Sequence, residues 1–194
     1  MYRDWHDLTY LVLGSEVQRW AAAVLQNLGI FSTLAEYKPV LAGTIPLDIA
    51  VDSSDLDITC EVYDLEQFAE LLSASYAHLS GFRIRQKGVR GVMSVVASFE
   101  FEGLPVDVFG QPQPVSEQYA YRHMDVEARL LEMGGPEARE EIRRLKREGL
   151  KTEPAFAHYF NLPGDPYEVL LSLSMLGDEA LRRVVGDRLS EKYN

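Results

Sequence analysis

The chain has 194 residues, 46% of them hydrophobic and 25% charged, which predicts one sizeable domain or a small catalytic core with a helical extension. Its 30 acidic and 19 basic residues give a formal net charge of -11, which argues against nucleic acid and anionic membranes as partners. The single cysteine, Cys60, allows no internal disulfide and fits a reducing compartment, so we expect a cytoplasmic protein.

Two features argue against export and membrane insertion. Residues 1–7 carry charges where a signal peptide needs an apolar stretch. No uninterrupted apolar run approaches the ~20 residues that a membrane-spanning helix requires. We therefore expect no membrane partner.

The opening of the chain has helical periodicity over residues 15–28, with Ser15 suited to cap the start and Gly29 suited to the left-handed position at the end. The apolar residues expected to face the core are Val17, Trp20, Ala21, Val24, Leu25 and Leu28. A short second helical piece is expected over residues 30–37.

Strand patterns dominate the middle of the chain, where apolar residues alternate or run together. The expected strands cover residues 39–42, 54–62, 82–87, 92–101 and 104–109. Glu102 and Gly103 suit a hairpin turn between the last two. Asp64 predicts the start of a helix that runs to about His78 and buries Phe68, Leu71 and Leu72.

The composition changes to helical segments after Gly110. The expected helices cover residues 116–133, 136–148, 154–160 and 167–189. This order predicts an α+β fold in which a nucleotidyltransferase-like core with a mixed β-sheet and flanking helices spans residues 1–110. Residues 111–194 are expected to form a C-terminal helical region packed on that core.

Asp55 and Asp57 lie two residues apart in a strand-like segment, so both side chains project from one face of the sheet. Two adjacent carboxylates repel each other, and a divalent cation relieves the repulsion by binding oxygens from both. Magnesium is the expected ion. Asp107 interrupts a later apolar strand, and if the two strands are neighbours, three carboxylates converge as in a two-metal phosphoryl-transfer site.

Gly43 and Thr44 end the strand that precedes this acidic segment. Glycine lets the backbone approach a ligand, and the threonine hydroxyl with nearby amides can hold phosphate oxygens. The pair is informative because it lies one loop ahead of Asp55.

In the order Gly43-Thr44, Asp55-Leu56-Asp57 and Asp107, the sequence resembles the DNA-polymerase-β-like nucleotidyltransferase superfamily. That superfamily has Gly-Ser or Gly-Gly, then Asp-x-Asp, then a third acid on a later strand; Thr44 departs from the pattern but keeps a hydroxyl. Residues 41–47, 54–58 and 149–156 resemble more closely a bacterial family of unknown function placed in it, and that likeness covers nearly the whole chain.

The resemblance implies that Asp55, Asp57 and Asp107 are catalytic residues that bind two Mg²⁺ ions, with Gly43 and Thr44 positioning the outgoing pyrophosphate. It implies transfer of a nucleoside monophosphate from a nucleoside triphosphate to a hydroxyl, and the acidic surface favours a small molecule or a protein as acceptor. Two alternatives use the same residues: a catalytically inactive nucleotide-binding or regulatory module, and a metal-dependent phosphohydrolase.

Two residues of the C-terminal region have competing explanations. Lys151 is a candidate for contacting the triphosphate, although a lysine at a helix C-terminus is also explained by the helix dipole. His123 has the position of an acceptor-pocket residue, and a polar helix face explains it equally well.

Overall fold

The computed structural model describes residues 4–192, and the side chains of residues 4–186. Residues 1–3, part of the segment that argues against an export signal, lie outside this range. The chain divides into two compact units, the first formed by residues up to 48 with residues 53–121, the second by residues 49–52 with residue 122 onward.

The first unit contains short helices and all strands of the sheet. Its helical elements are α1 (Thr9–Val12), α2 (Glu16–Leu28), α3 (Ile30–Thr33), a 3-10 turn (Ala35–Tyr37), α4 (Leu65–Tyr76) and a second 3-10 turn (Val115–Glu117). Its strands are β1 (Val40–Ala42), β2 (Leu56–Glu61), β3 (Arg83–Val89), β4 (Val92–Phe101) and β5 (Leu104–Gln111). Each predicted strand is therefore present.

Within the described residues the strands form one five-stranded sheet in the order β1-β2-β5-β4-β3. The β2–β5 pair is parallel, and the β1–β2, β4–β5 and β3–β4 pairs are antiparallel. Glu102 and Gly103 form the turn between β4 and β5, as predicted. The mixed sheet with flanking helices confirms the predicted α+β class.

The two faces of the sheet differ in character because side chains alternate along each strand. Ile58, Val106 and Val108 are fully buried on one face, where α4 packs against β4 and β5. Tyr76 of α4 stacks on Phe99 of β4 with ring centroids 5.2 Å apart. The opposite face carries the acidic residues of β2 and β5.

Helix α2 begins and ends as predicted, with Ser15 accepting a hydrogen bond from the Gln18 backbone N–H and Gly29 at φ 67°. The predicted apolar stripe is wrong at two positions, because Val17 is 42% exposed and Trp20 is 46% exposed. Gln18 lies inside instead, and its side-chain amide donates to the carbonyl oxygens of Ile45 at 2.9 Å and Pro46 at 3.2 Å. Satisfying these carbonyls favours burial of a polar side chain.

The remaining helices are α5 (Tyr119–Arg147), α6 (Thr152–Tyr159), α7 (Pro166–Ser174) and α8 (Asp178–Lys192). The expected start of α5 near Ser116 is wrong, because Gln118 has extended backbone angles and ends the preceding 3-10 turn. Gly135, with φ 67° and ψ -162°, kinks α5 where two separate helices are expected.

The single helix expected over residues 167–189 is also wrong, since α7 and α8 are separate. The N–H of Met175 and that of Leu176 each bond to the carbonyl three residues earlier, which tightens the end of α7. Within residues 4–192 we find no helix with the length and apolar character needed to cross a membrane.

Candidate functional site

The parallel pairing of β2 with β5 brings three carboxylates together. Asp57 and Asp107 are direct partners in the β2–β5 register, and Asp55 immediately precedes β2. Each acid offers one oxygen atom, and these three atoms lie within 4.8 Å of one another. All three side chains are half-buried. The adjacency of the Asp57 and Asp107 strands, on which the sequence argument depended, is therefore present.

This arrangement fits a divalent cation. Three carboxylates at such separations repel one another, and hard oxygen ligands from carboxylates are those that Mg²⁺ prefers. The residues offer oxygen atoms only, and their partial exposure leaves room for water or a ligand oxygen. The metal and catalytic roles of the three residues stay predictions.

Gly43 lies against the acidic pair because β1 runs antiparallel to β2 with Ala42 opposite Asp57. Its φ of +80° is one that residues with a side chain rarely adopt, and a Cβ placed on it would lie 2.6 Å from Asp57 Oδ2. The position thus requires glycine for its conformation and for its closeness to the carboxylate.

Thr44 lies in the loop between β1 and β2. Its hydroxyl donates a hydrogen bond to the Ser54 hydroxyl at 3.1 Å, next to Asp55 in sequence. Gln18 holds the same loop through the carbonyls of Ile45 and Pro46. The loop is therefore fixed at both ends near the acids.

A network of amide side chains, of which Gln111 and Gln113 were not predicted from the sequence, lies further along the acidic face. Gln111 donates to the Ser94 hydroxyl at 3.0 Å, and Gln113 donates to the Gln111 carbonyl oxygen at 2.6 Å. Gln118 donates to the Gln113 backbone carbonyl at 3.1 Å and accepts from the Thr59 hydroxyl. The available signal was Gln111 and Gln113 at the end of an apolar strand.

Lys151 belongs to the second unit, where it is the N-cap residue of α6. The helix-dipole explanation is wrong, because α5 ends at Arg147 and a helix N-terminus does not favour a cation. The assignment of Lys151 to triphosphate binding stays a prediction.

His123 is buried at 7% exposure, so its explanation as part of a solvated polar helix face is wrong. Its Nδ1 lies 3.3 Å from a Glu153 carboxylate oxygen, and its Nε2 lies 3.1 Å from the Tyr167 carbonyl. Burial opposes ionisation of Glu153, yet the hydrogen bond from His123 holds the pKa of that carboxyl below its usual value. Glu127 is wholly buried nearby, and burial together with the Glu153 charge raises its pKa well above the usual range.

Cys60 is buried in β2, as expected of a strand residue. Burial raises the pKa of its thiol, which keeps the sulfur protonated and unreactive. It contributes to the core rather than to the acidic site.

The fold resembles that of solved nucleotidyltransferases. A structure of the Cid1 poly(U) polymerase with MgGTP bound has a TM-score of 0.53 at 10% sequence identity, over 82% of this chain and 50% of that one. The polymerase core of TRAMP, an RNA surveillance complex, has a TM-score of 0.47 at 11% identity, over 94% of this chain and 62% of that one. The GLD-2/RNP-8 complex has a TM-score of 0.47 at 14% identity, over 81% of this chain and 57% of that one.

The chain spans between 50% and 62% of the length of these structures. At such identities the Cid1 match supports the fold alone, and it confirms the predicted nucleotidyltransferase-like fold. No curated protein sequence matches the chain. Residues 23–173, which include all three acids, match the domain of unknown function DUF4269, and the chain belongs to that family.

Proposed function

We propose that this protein is a magnesium-dependent nucleotidyltransferase that moves a nucleoside monophosphate from a nucleoside triphosphate to a hydroxyl of a small molecule or a protein. The observation that carries the proposal is the convergence of Asp55, Asp57 and Asp107, with one oxygen from each within 4.8 Å of the others. The nucleotidyltransferase-like fold supports it, since Asp57 and Asp107 lie on the paired strands β2 and β5 of that sheet and Asp55 immediately precedes β2.

The proposed roles are those that the resemblance to the nucleotidyltransferase superfamily implies. Asp55 and Asp57 would hold both magnesium ions, and Asp107 would complete the ligand set on the acceptor side. When bound, the two ions supply charge neutralisation at the entering and leaving oxygens of an in-line displacement. The protein contributes fixed ligand positions, because β2 and β5 are hydrogen-bonded partners.

Gly43 and Thr44 are proposed to position the outgoing pyrophosphate. Gly43 lets the backbone approach a phosphate closely because it has no side chain. The Thr44 hydroxyl is held by a hydrogen bond to Ser54, which joins the two ends of the same loop. A loop fixed in advance loses less conformational entropy when the phosphate binds.

The formal charge of -11 supports a small molecule or a protein as acceptor, because it repels a polyanion at long range. RNA is a second candidate, favoured by the likeness of the fold to a poly(U) polymerase. A cytoplasmic location is proposed from the single buried cysteine.

Nucleotide binding tests the metal site. We expect Mg²⁺-dependent binding of at least one of ATP, GTP, CTP and UTP by calorimetry, and its loss in Asp55→Asn/Asp57→Asn. The matched control is Glu66→Gln/Glu70→Gln, which removes two charges from exposed positions of α4. If nucleotide binding survives loss of the two aspartates, the proposal is wrong.

An assay of product formation distinguishes the candidate functions that use the same three acids. The protein is incubated with α-labelled triphosphate, Mg²⁺ and a fractionated cell extract, beside Asp107→Asn. A labelled small molecule or protein that disappears with Asp107→Asn supports the proposal, and an extended RNA supports the second candidate. Free monophosphate without labelled acceptor indicates a phosphohydrolase, and tight binding without turnover indicates a regulatory module.

A further inference from the structure

Strand β3 carries three exposed basic residues, Arg83, Arg85 and Lys87, which we call the basic row. They alternate with uncharged residues, so all three project from one face of the sheet. Arg83 is the direct partner of Ser98 on β4, and Ser98 is the direct partner of Asp107 on β5. Because direct partners on neighbouring strands share a face, the basic row lies on the face that carries the acids.

The charges of the basic row are not neutralised by the protein. Within residues 4–186, none of its three side chains forms an ion pair or a hydrogen bond. Other exposed cations lie beside acids, as Lys38 does beside Glu61 and Arg144 beside Glu141. In a chain with a formal net charge of -11, the basic row is a local reversal of charge that attracts an anion.

Protection of the sheet edge accounts for only part of this pattern. Among the described strands β3 lies at an edge of the sheet, and charged side chains on an edge strand hinder pairing with another chain. Charges of either sign, on either face, would serve that purpose. The other face of β3 carries Ile84, Gln86 and Gly88, none of them charged. A binding role accounts for cations alone, confined to the face of the acids.

The basic row is close enough to Asp107 for one small molecule to contact both. Arg83 is two strands away from Asp107, a separation of about 10 Å at ~4.8 Å per strand. Arg85 is the direct partner of Val96. Val96, Phe109 and Asp107 line a cavity of about 310 Å³, a volume at the lower end of the range for small-ligand sites. The basic row thus lies beside a cavity that reaches the acids.

The position of the basic row favours the acceptor over the triphosphate. Gly43 and Thr44, which are proposed to hold pyrophosphate, follow β1 at the opposite edge of the sheet. The acids of β2 and β5 lie between that loop and β3. A phosphate group at the basic row is therefore on the far side of the acids from the outgoing pyrophosphate.

We propose that the basic row binds a phosphate group of the acceptor, and that the acceptor is a small phosphorylated molecule whose free hydroxyl lies at Asp107. This inference rests on the proposed nucleotidyl transfer and narrows its acceptor. The planar guanidinium of arginine forms two parallel hydrogen bonds to phosphate oxygens. Three cations match one or two phosphate groups of about -1.5 to -2 charge each, and the net charge of -11 disfavours a longer polyanion.

The group transfer balances without a further reactant. The acceptor oxygen forms a bond to the α-phosphorus of the triphosphate, and the bond from that phosphorus to the β-bridging oxygen breaks. Pyrophosphate leaves with the electron pair, and the hydroxyl proton passes to solvent. The product is a phosphodiester between nucleotide and acceptor, and the phosphate at the basic row is unchanged.

The test uses 6-hydroxyhexyl phosphate as probe, a flexible chain with a hydroxyl at one end and a phosphate at the other. It is titrated by calorimetry into the full chain with Mg²⁺ and a non-hydrolysable triphosphate present. We expect saturable binding, weakened about tenfold in Arg83→Gln/Arg85→Gln because hydrogen bonds to a charged group are lost. Arg83→Lys/Arg85→Lys keeps both charges and should lose less affinity. Hexane-1,6-diol, which lacks the phosphate, should not distinguish these variants from the native chain.

The matched control is Arg147→Gln/Arg182→Gln, which removes two charges from exposed positions of α5 and α8 and should keep the native affinity for the probe. With α-labelled triphosphate in place of the analogue, the probe should become labelled by the native chain. Probe binding without labelling overturns the acceptor assignment.

The remaining outcomes separate this inference from the proposed function. Absence of Mg²⁺-triphosphate binding in the native chain overturns both. Intact triphosphate binding without probe binding, or equal probe binding in the native chain and Arg83→Gln/Arg85→Gln, overturns this inference alone. Self-association of that variant with unchanged probe binding assigns the basic row to protection of the edge strand. Extension of a single-stranded RNA that is lost in the same variant assigns it to a polynucleotide and also overturns the inference.

Discussion

Gly43→Ala is expected to impair the site more than it impairs the fold. An L-residue in the left-handed region costs roughly 1–2 kcal/mol, which corresponds to a fall in Tm of about 2–8 °C for a chain of this size. The added methyl would also lie 2.6 Å from Asp57 Oδ2, a separation that real Cβ atoms do not show, so the carboxylate must move. Displacing a proposed metal ligand in this way should lower Mg²⁺-dependent nucleotide affinity by ~10-fold or more.

Gly103→Ala provides the matched control for that prediction. Gly103 has φ +82°, nearly the value at Gly43, but a Cβ placed there has no heavy atom within 4 Å. Thermal unfolding should show similar losses in the two variants, whereas calorimetry should show lost nucleotide affinity in Gly43→Ala alone. Native affinity in Gly43→Ala, or an equal loss in Gly103→Ala, would refute the reasoning.

Three further changes test other parts of the structure. Asp107→Asn should raise the Tm of metal-free protein by ~2–4 °C, because it removes like-charge repulsion, and should diminish the rise in Tm that Mg²⁺ produces. Gln18→Leu should lower the free energy of unfolding by about 1–3 kcal/mol in urea, because two buried loop carbonyls lose their donor. Glu127→Gln should raise Tm at neutral pH, because burial raises the pKa of the native carboxyl.

The sign of the Glu127 effect follows from its ionisation in the two states. The unfolded carboxyl ionises near its ordinary pKa of 4.5, while the folded one keeps its proton to a higher pH. The contribution of this group to the free energy of unfolding is therefore fully present below about pH 4.5, and it is lost as the pH rises through the pKa of the folded state. The gain in Glu127→Gln should vanish at pH 4, and a gain that is equal at pH 4 and pH 7 would contradict the assignment.

The outcomes for the other two changes are equally specific. Gln26→Leu, at an exposed glutamine of the same helix, should change the free energy of unfolding by less than about 0.5 kcal/mol. Equal effects of Gln18→Leu and Gln26→Leu would show that the two loop hydrogen bonds contribute little. An undiminished effect of Mg²⁺ on the Tm of Asp107→Asn would remove that residue from the metal site.

The strands and their inward and outward faces were predictable because alternation is a local property of the sequence. Asp57 and Asp107 each lie between apolar neighbours in such a strand, which marks them as candidates. Their pairing was not predictable from local pattern, because β2 and β5 are parallel neighbours joined by a long connection that contains α4, β3 and β4. Parallel pairing of this kind is set by packing of the whole sheet.

The wrongly predicted burial of some side chains has physical causes that an apolar pattern does not contain. Gln18 is buried because it satisfies loop carbonyls that are 27 and 28 residues away in the chain, and its burial turns Val17 and Trp20 outward. Burial of His123 depends on Glu153 and Tyr167, which are likewise distant in sequence. Hydrogen-bond partners of this range become visible only in the folded chain.

The most direct test of the proposed metal site is a crystal structure of the protein with Mn²⁺ in place of Mg²⁺ and a non-hydrolysable nucleoside triphosphate, recorded at the manganese absorption edge. We predict anomalous density bounded by the carboxylates of Asp55, Asp57 and Asp107, with the α-phosphate against it. Nucleotide and manganese bound elsewhere, or a well-ordered nucleotide with no anomalous density between these carboxylates, would contradict the central claim.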